Sequence, residues 1–179
     1  MLTRLLVIAG LAMSPGGAAA QNAALSAGLA EREITPPVGY RMDGYFAERL
    51  STGTKDPLKA KALVFRQGAT KMALVAADLL GVPQELTTEV RTLAAQKTGI
   101  PAANIAIAAT HTHTGPMFSG PRARLFTEQA AAKYGTDPLA AMKYPESLRD
   151  RLVEVIVAAD AGLSPAALEF VRPTEDRLS

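Results

Sequence analysis

The 179-residue chain contains no cysteine, no tryptophan and only two histidines. The absence of cysteine excludes disulfide bonds, thiol nucleophiles and thiolate metal ligands. It does not indicate a compartment, because a chain of this length can bury enough apolar surface to be stable without disulfides. Because histidine is so scarce, any histidine-based chemistry in this chain must use His111 and His113.

Strong charge of one sign and aromatic residues are also lacking. Lys and Arg number 19 against 17 Asp and Glu, the net charge is +2, and aromatic residues make up 5% of the chain. The cationic residues are interspersed with the anionic ones, whereas nucleic-acid binding needs a basic surface patch, so we expect no nucleic-acid partner. With 48% apolar and 20% charged residues, the composition is typical of a globular domain.

The N-terminus has the pattern of a signal peptide. One positive charge in Met1–Arg4 precedes the apolar run Leu5–Met13, and small residues follow at Ala18–Ala20. An uncleaved anchor is the alternative, but about nine apolar residues are too few for a span that needs roughly 20. We expect cleavage of residues 1–20, a secreted or periplasmic product, and a flexible lead-in over residues 21–32.

Two apolar segments flank a short connection that contains glycine. Lys59–Arg66 and Lys71–Ala77 are rich in Val, Leu and Ala and predict a β-hairpin. The second segment is apolar on both faces, which favours a central strand covered by helices. Gln84–Lys97 has apolar residues at helical spacing, and another apolar run begins at Ile105. A strand, a helix and a strand in this order predict a β-α-β crossover with parallel strands.

The last third of the chain predicts two more helices and a strand. The helices are expected over Ala123–Lys133 and Pro145–Ala161, and the strand over Ala167–Arg172. The fold class is therefore α/β, a mixed sheet with a β-hairpin and a β-α-β crossover flanked by helices. No closing element follows, so we expect residues 33–179 to be an incomplete portion of a larger domain.

The two histidines follow the apolar run that starts at Ile105. A spacing of two residues places His111 and His113 on one face if the backbone stays extended, and two neutral imidazoles on one face could hold a transition metal. The alternative is a histidine pair that is simply hydrogen-bonded at the edge of a core. Flanking threonines, which could orient the rings, and the chain break at Gly115–Pro116 favour a metal or catalytic role.

A carboxylate is expected near these histidines. Asp78 and His111 both follow predicted parallel strands, whose carboxyl ends collect ligands in α/β sheets. Asp78 could orient a histidine from the neighbouring strand end, or it could cap the loop after its own strand. Tyr40 and Tyr45, on a glycine-containing loop, could line the site or pack over the sheet edge.

Three segments resemble the neutral/alkaline, non-lysosomal ceramidase family. Thr110–Pro116, THTHTGP, is similar to the family's THTHSGP signature, with Thr114 where many members carry Ser. Glu33–Pro37 resembles its opening ITPP segment, and Asp56–Leu63 resembles its DPLxAxAL strand entry. The resemblance covers the chain from Glu33 onward and implies the N-terminal part of a catalytic domain.

The resemblance implies a zinc-dependent amidohydrolase that cleaves the N-acyl amide of ceramide-like sphingolipids. It implies that His111 is a zinc ligand and that His113 donates a hydrogen bond to the scissile carbonyl or the developing oxyanion. A ceramide-like lipid substrate also implies transient contact with a membrane surface.

The ligand set is incomplete in the sequence itself. A catalytic zinc takes about three protein ligands, and the family's remaining ligands lie far downstream of the signature, whereas no histidine follows His113 here. We therefore expect a truncated enzyme. The alternatives are a non-catalytic exported domain or gene fragment, and a relative that acts on a different amide.

Overall fold

The computed structural model describes residues 23–171, so the predicted signal peptide over residues 1–20 lies outside the described part. Five strands form one mixed sheet, in the order β4-β3-β2-β1-β5. The strands are β1 Leu25–Glu33, β2 Lys59–Gln67, β3 Thr70–Ala77, β4 Ile105–Ala109 and β5 Ser164–Pro165.

Three α-helices accompany the sheet, close to where the sequence predicts them. They are α1 Gln84–Thr98, α2 Gly120–Tyr134 and α3 Tyr144–Ala161, with short 3₁₀ helices at Ala102–Asn104 and Pro138–Met142. The first helix starts behind Pro83 and ends at Gly99, whose left-handed backbone lets its N–H donate to the Ala95 carbonyl. Between residues 23 and 171, no helix is both long and apolar enough to cross a membrane.

The structure confirms the α/β class, the hairpin and the crossover. Antiparallel β2 and β3 are joined by a tight turn in which Gly68 has a φ of +57°. The strands β3 and β4 pair in parallel, with α1 in the connection between them. Both predicted polar positions, Asp78 and His111, therefore follow the carboxyl ends of neighbouring parallel strands.

The prediction of a flexible lead-in over residues 21–32 is wrong from Leu25 onward. Residues Leu25–Glu33 form β1, which pairs with all nine residues of β2. Small residues are needed here because α3 crosses the strand closely. A Cβ atom on Gly28 would lie 2.0 Å from the Ala159 carbonyl oxygen. The segment that looks featureless in sequence is therefore the contact between the sheet and α3.

The predicted strand over Ala167–Arg172 is also wrong within the described residues. After α3, Ser164–Pro165 pairs with β1 on the side away from β2, and the chain is irregular from Ala166 to Val171. Leu168 and Phe170 are 63% and 97% exposed, so their apolar side chains bury nothing that would hold a strand in place.

Within residues 23–171, helices cover one face of the sheet. The core lies between that face and helices α1 and α3, and it includes Val64, Val75 and Ile156, all almost fully buried. The opposite face, which we call the open face, is apolar but uncovered within the described part of the chain. Its apolar residues include Leu29, Leu63, Met72, Leu74, Ala76, Ala106 and Ala108, and the charged Lys61 lies among them. The prediction that helices cover β3 thus holds for one face.

Candidate metal-binding and catalytic site

The two histidines lie on a turn, so the condition that the backbone stays extended through them is not met. β4 ends at Ala109, after which the Thr110 N–H donates to the Ala77 carbonyl at 2.9 Å and the Thr112 N–H donates to the Leu79 carbonyl at 3.0 Å. His111, between them, has a φ of +63°. A left-handed histidine costs free energy, of order 1 kcal/mol, and such strain concentrates at functional sites.

The His111 ring is oriented by a main-chain carbonyl. Its Nδ1 lies 3.0 Å from the Leu80 oxygen, in the loop that follows β3. A carbonyl oxygen only accepts, so Nδ1 carries the proton and the Nε2 lone pair remains available. This is the arrangement in which a histidine ligates a metal while its other nitrogen is held by the protein.

His113 is held in the same way from a different loop. Its Nδ1 lies 3.2 Å from the Gly44 oxygen, so its neutral ring also presents a lone pair at Nε2. The two rings meet edge to face, with centroids 4.9 Å apart and planes at 75°. The turn therefore brings the two imidazoles together although the strand does not continue.

Of the two roles that the sequence leaves open for Asp78, orienting a histidine or capping a loop, the hydrogen bonds of its carboxylate match the second. Its carboxylate accepts from the Lys59 N–H at 2.9 Å and from the Thr110 hydroxyl at 3.0 Å. Thr110 in turn shares a 2.8 Å hydrogen bond with Thr112. Asp78 thus caps the loop, the alternative open from the sequence, and stabilises the turn that carries His111.

The tyrosines pack rather than face the histidines. Tyr40 is buried, and its ring lies 4.9 Å from that of Tyr144. Burial raises the pKa of Tyr40 to about 12, so its hydroxyl stays protonated at neutral pH. The guanidinium of Arg49 lies 4.0 Å from the centre of the Tyr45 ring, a cation–π contact.

Arg122 also contributes to the site, although the sequence analysis did not predict it. Arg122, at the start of α2, donates to the Tyr45 carbonyl at 2.7 Å and lies 3.7 Å from the Asp43 carboxylate. It therefore holds the turn that presents Gly44 to His113. The sequence contains no signal that links an arginine in α2 to a loop almost 80 residues earlier.

A cleft of about 510 Å³ opens beside the histidine turn. Its walls combine Asp78, Thr112 and Thr114 with apolar side chains from the loops before β2, among them Met42 and Leu58. The cleft gives a small molecule room next to the turn, and its lining mixes polar groups, including Lys55 and Asp56, with apolar ones.

The described residues do not by themselves form a metal site. Across residues 23–171, no three His, Asp or Glu side chains converge to hold a metal ion. The two histidines offer two nitrogen donors, both exposed to solvent. These donors suit zinc in type, and a complete site needs further ligands.

Comparison with solved structures identifies what this arrangement resembles. The chain matches neutral ceramidase from Pseudomonas aeruginosa with a TM-score of 0.59 and 28% identity over 80% of its length. A ceramidase complexed with C2 matches with a TM-score of 0.61 and 27% identity over the same share. This chain is similar to the N-terminal portion of neutral ceramidases.

The ceramidase-like chain spans 22% of the length of each of these two structures. No protein-family model matches the chain, and no curated protein matches it. The similarity to the two solved ceramidases nevertheless confirms the resemblance predicted from the THTHTGP segment.

Proposed function

We propose that this chain is part of a zinc-dependent amidohydrolase that cleaves the N-acyl amide of ceramide-like sphingolipids. The observation that carries the proposal is the histidine pair, in which two main-chain carbonyls hold both Nδ1 atoms and leave both Nε2 atoms free. The resemblance to solved ceramidases adds the substrate class.

His111 is the proposed zinc ligand. The Leu80 carbonyl fixes its tautomer, and the left-handed backbone at His111 turns the ring out of the strand. Zinc bound there would lower the pKa of a water molecule towards 7 and polarise the amide carbonyl. The remaining ligands would come from polypeptide outside the 179 residues.

His113 is the proposed donor to the substrate carbonyl oxygen. Since Gly44 occupies its Nδ1–H, the ring can donate from Nε2 only in its doubly protonated, charged form. A charged donor suits this task, because negative charge develops on the carbonyl oxygen as the amide carbon is attacked.

The same proposal predicts how the substrate binds and where the protein is located. The cleft beside the turn would take part of a ceramide-like lipid, which would reach it by transient contact with a membrane surface. The enzyme would be exported to the periplasm or secreted, with residues 1–20 cleaved as a signal peptide.

Two further observations support a longer parent protein. The chain spans 22% of the matched structures, and the open face of the sheet exposes large apolar side chains such as Leu29 and Leu74. We infer that residues 33–179 form the N-terminal part of a catalytic domain, whose later parts supply ligands and cover this face.

A second candidate is a non-catalytic exported domain or gene fragment. The specific observation in its favour is that, within residues 23–171, the histidine pair has no third metal ligand beside it. A relative that hydrolyses a different amide would share the histidine geometry, so substrate comparison separates it from a ceramidase.

The proposal is tested by zinc analysis and amide hydrolysis on two proteins, the 179-residue chain and the product of its complete reading frame. We expect the short chain to bind zinc weakly and turn over little, because each lost ligand or supporting partner costs about 10- to 100-fold in affinity. The longer product should bind zinc and release fatty acid from ceramide.

In the longer product, His111→Ala should abolish zinc binding and turnover together. His113→Ala should keep most of the zinc and lose turnover by roughly 100- to 1000-fold, the scale for one oxyanion donor. The reverse pattern would show that the roles are exchanged. Chelator-resistant, stoichiometric zinc in the short chain would contradict truncation, and hydrolysis of other amides but not ceramide would exclude the ceramidase assignment.

A further inference from the structure

The histidine turn is joined along its length to the loop of residues 39–51. The Asp43 N–H donates to the Gly115 carbonyl at 2.7 Å, and the Met117 N–H donates to the Arg41 carbonyl at 2.8 Å. Between these bonds, Met42 and Pro116 form an isolated β-bridge. Any displacement of this loop therefore displaces the turn that carries His113.

Gly44 is the point at which the loop touches the ring. Its φ is +91°, and a Cβ atom there would lie 2.7 Å from the His113 Cα. The same residue offers the carbonyl that accepts from His113 Nδ1. Gly44 thus provides both the space for His113 and the bond that sets its tautomer.

Arg41 anchors the loop from the other side through a buried ion pair. Its side chain is 6% exposed, and the fork of its guanidinium bonds both oxygens of Asp137, whose side chain is 7% exposed. Arg41 also bonds Glu48 within the loop and the Phe126 carbonyl in α2. Arg41 therefore fastens the loop to the helical side of the molecule, in addition to the bond that Arg122 makes to the Tyr45 carbonyl.

Asp137 is itself fixed from several directions. It accepts from the Thr127 hydroxyl at 2.9 Å and from the Leu139 N–H at 3.1 Å, in addition to Arg41. A buried ion pair contributes little net stability compared with apolar packing, but a two-pronged guanidinium–carboxylate contact fixes orientation. Its geometry therefore suits a device that sets position.

We propose that the Arg41–Asp137 pair is a positioning device for His113, acting through Gly44. The pair holds the loop in the position at which the Gly44 carbonyl accepts a hydrogen bond from Nδ1–H of His113. This hydrogen bond keeps Nε2 of His113 directed outward. The Nδ1–H of His111 donates instead to the Leu80 carbonyl, on a different loop. The Arg41–Asp137 pair therefore does not position the His111 ring. The inference rests on the proposed function only for the task that His113 performs.

The test is the ring tautomer of His113, measured by ¹⁵N NMR of the metal-free 179-residue chain at an alkaline pH where both rings are neutral. The chain has two histidines, so two ring spectra are expected, and His113→Gln assigns them. In Asp137→Asn and in Gly44→Ala, the ratio of Nδ1–H to Nε2–H tautomer in His113 should fall about fivefold, the change that one ordinary hydrogen bond supports. The spectrum of His111 should not change.

The matched control is Asp160→Asn. Asp160 pairs with Lys71 at 2.7 Å, also part-buried, and this pair joins β3 to α3. The control should lower stability and leave both ring spectra as in the parent chain. If Asp137→Asn fails to fold, Thr127→Val removes one bond to Asp137 and serves as a milder variant.

An unchanged His113 spectrum in folded Asp137→Asn or Thr127→Val would overturn the proposal, as would equal changes in both histidines. Because neither metal nor substrate is present, that failure would leave the ceramidase proposal standing. An intact tautomer response without amide hydrolysis in the longer product would instead count against the proposed function.

Discussion

Main-chain carbonyls decide the chemistry of both histidines. The Leu80 and Gly44 carbonyls each accept a hydrogen bond from the Nδ1–H of one ring, and the Nε2 atoms are left for other partners. The sequence predicts the imidazoles themselves, because HxH followed by Gly-Pro is a recognisable pattern. It could not predict the carbonyls, because any residue has one and only the fold determines which carbonyl faces a ring.

Asp137 gives a prediction at the same scale. Burial alone would raise the pKa of its carboxyl, but hydrogen bonds from Arg41, the Leu139 N–H and Thr127 lower this pKa below its usual value. A carboxyl with a lowered pKa in the folded state stabilises the fold above about pH 4, the unfolded value, and loses that contribution as the pH falls through the folded value.

We therefore expect Asp137→Asn to lower the free energy of unfolding by about 3 kcal/mol at pH 7, the lower end for breaking a buried ion pair. The difference from the parent chain should shrink below about pH 4. Urea unfolding at pH 7 and pH 3 measures both quantities. Asp150→Asn is the control, because this carboxylate is 59% exposed and its loss should cost less than about 1 kcal/mol. A difference that stays constant with pH would contradict the prediction.

Among the elements, helices and the hairpin were predictable and the first strand was not. α1 and α3 have clear ends, at Pro83 and Gly99 for the first and at Pro145 and Gly162 for the second. The first strand consists largely of small residues, which carry no alternating apolar pattern. Its role depends on how closely α3 approaches, and that distance is a tertiary property.

Gly28 makes this approach testable. A Cβ atom there would overlap the Ala159 carbonyl oxygen at 2.0 Å and would lie 2.9 Å from the backbone of Gly162. We expect Gly28→Ala to force α3 away from β1 and to lower the free energy of unfolding by about 1–3 kcal/mol or more, as overpacked cores do.

Gly53→Ala is the matched control, since a Cβ atom on Gly53 would have no other atom within 4 Å and its change should stay within about 0.5 kcal/mol. Thermal unfolding of both variants gives the comparison. Equal midpoints for Gly28→Ala and the parent chain would show that the helix contact is looser than the structure indicates.

For the whole molecule, the open face is the feature with the widest consequence. Leu29 is 76% exposed, and Met72 and Leu74 are about 40% exposed on the middle of a sheet. Exposed apolar patches of this kind mark surfaces that another layer covers. The sequence indicated this through strands that are apolar on both faces, but it could not show that the described helices pack on one face only.

The 179 residues contain no cysteine, so a single introduced thiol is unique in the short chain, and any cysteine in the longer product would first be replaced by serine. We expect Leu74→Cys to react rapidly with a maleimide in the 179-residue chain and at least 10-fold more slowly in the product of the complete reading frame. Leu125→Cys, on α2 and 48% exposed, should react rapidly in both.

If Leu74→Cys is labelled slowly in the short chain, and the labelling rate falls as the protein concentration rises, a second copy of the chain covers the open face. Rapid labelling in both proteins, or a reading frame that adds no further residues, would exclude the covering layer.

The pairing of β1 with β5 places the first and last strands of the described chain side by side. The Ala166 N–H donates to the Leu25 carbonyl at 3.0 Å, so the polypeptide enters and leaves the sheet at one edge. A short peptide could therefore join these two points, and the chain could be reopened at the exposed Gly68–Ala69 turn between β2 and β3. Such a circular permutant would keep every strand neighbour and the histidine turn, while moving both free ends from the β1–β5 edge to the hairpin turn at the same end of the strands.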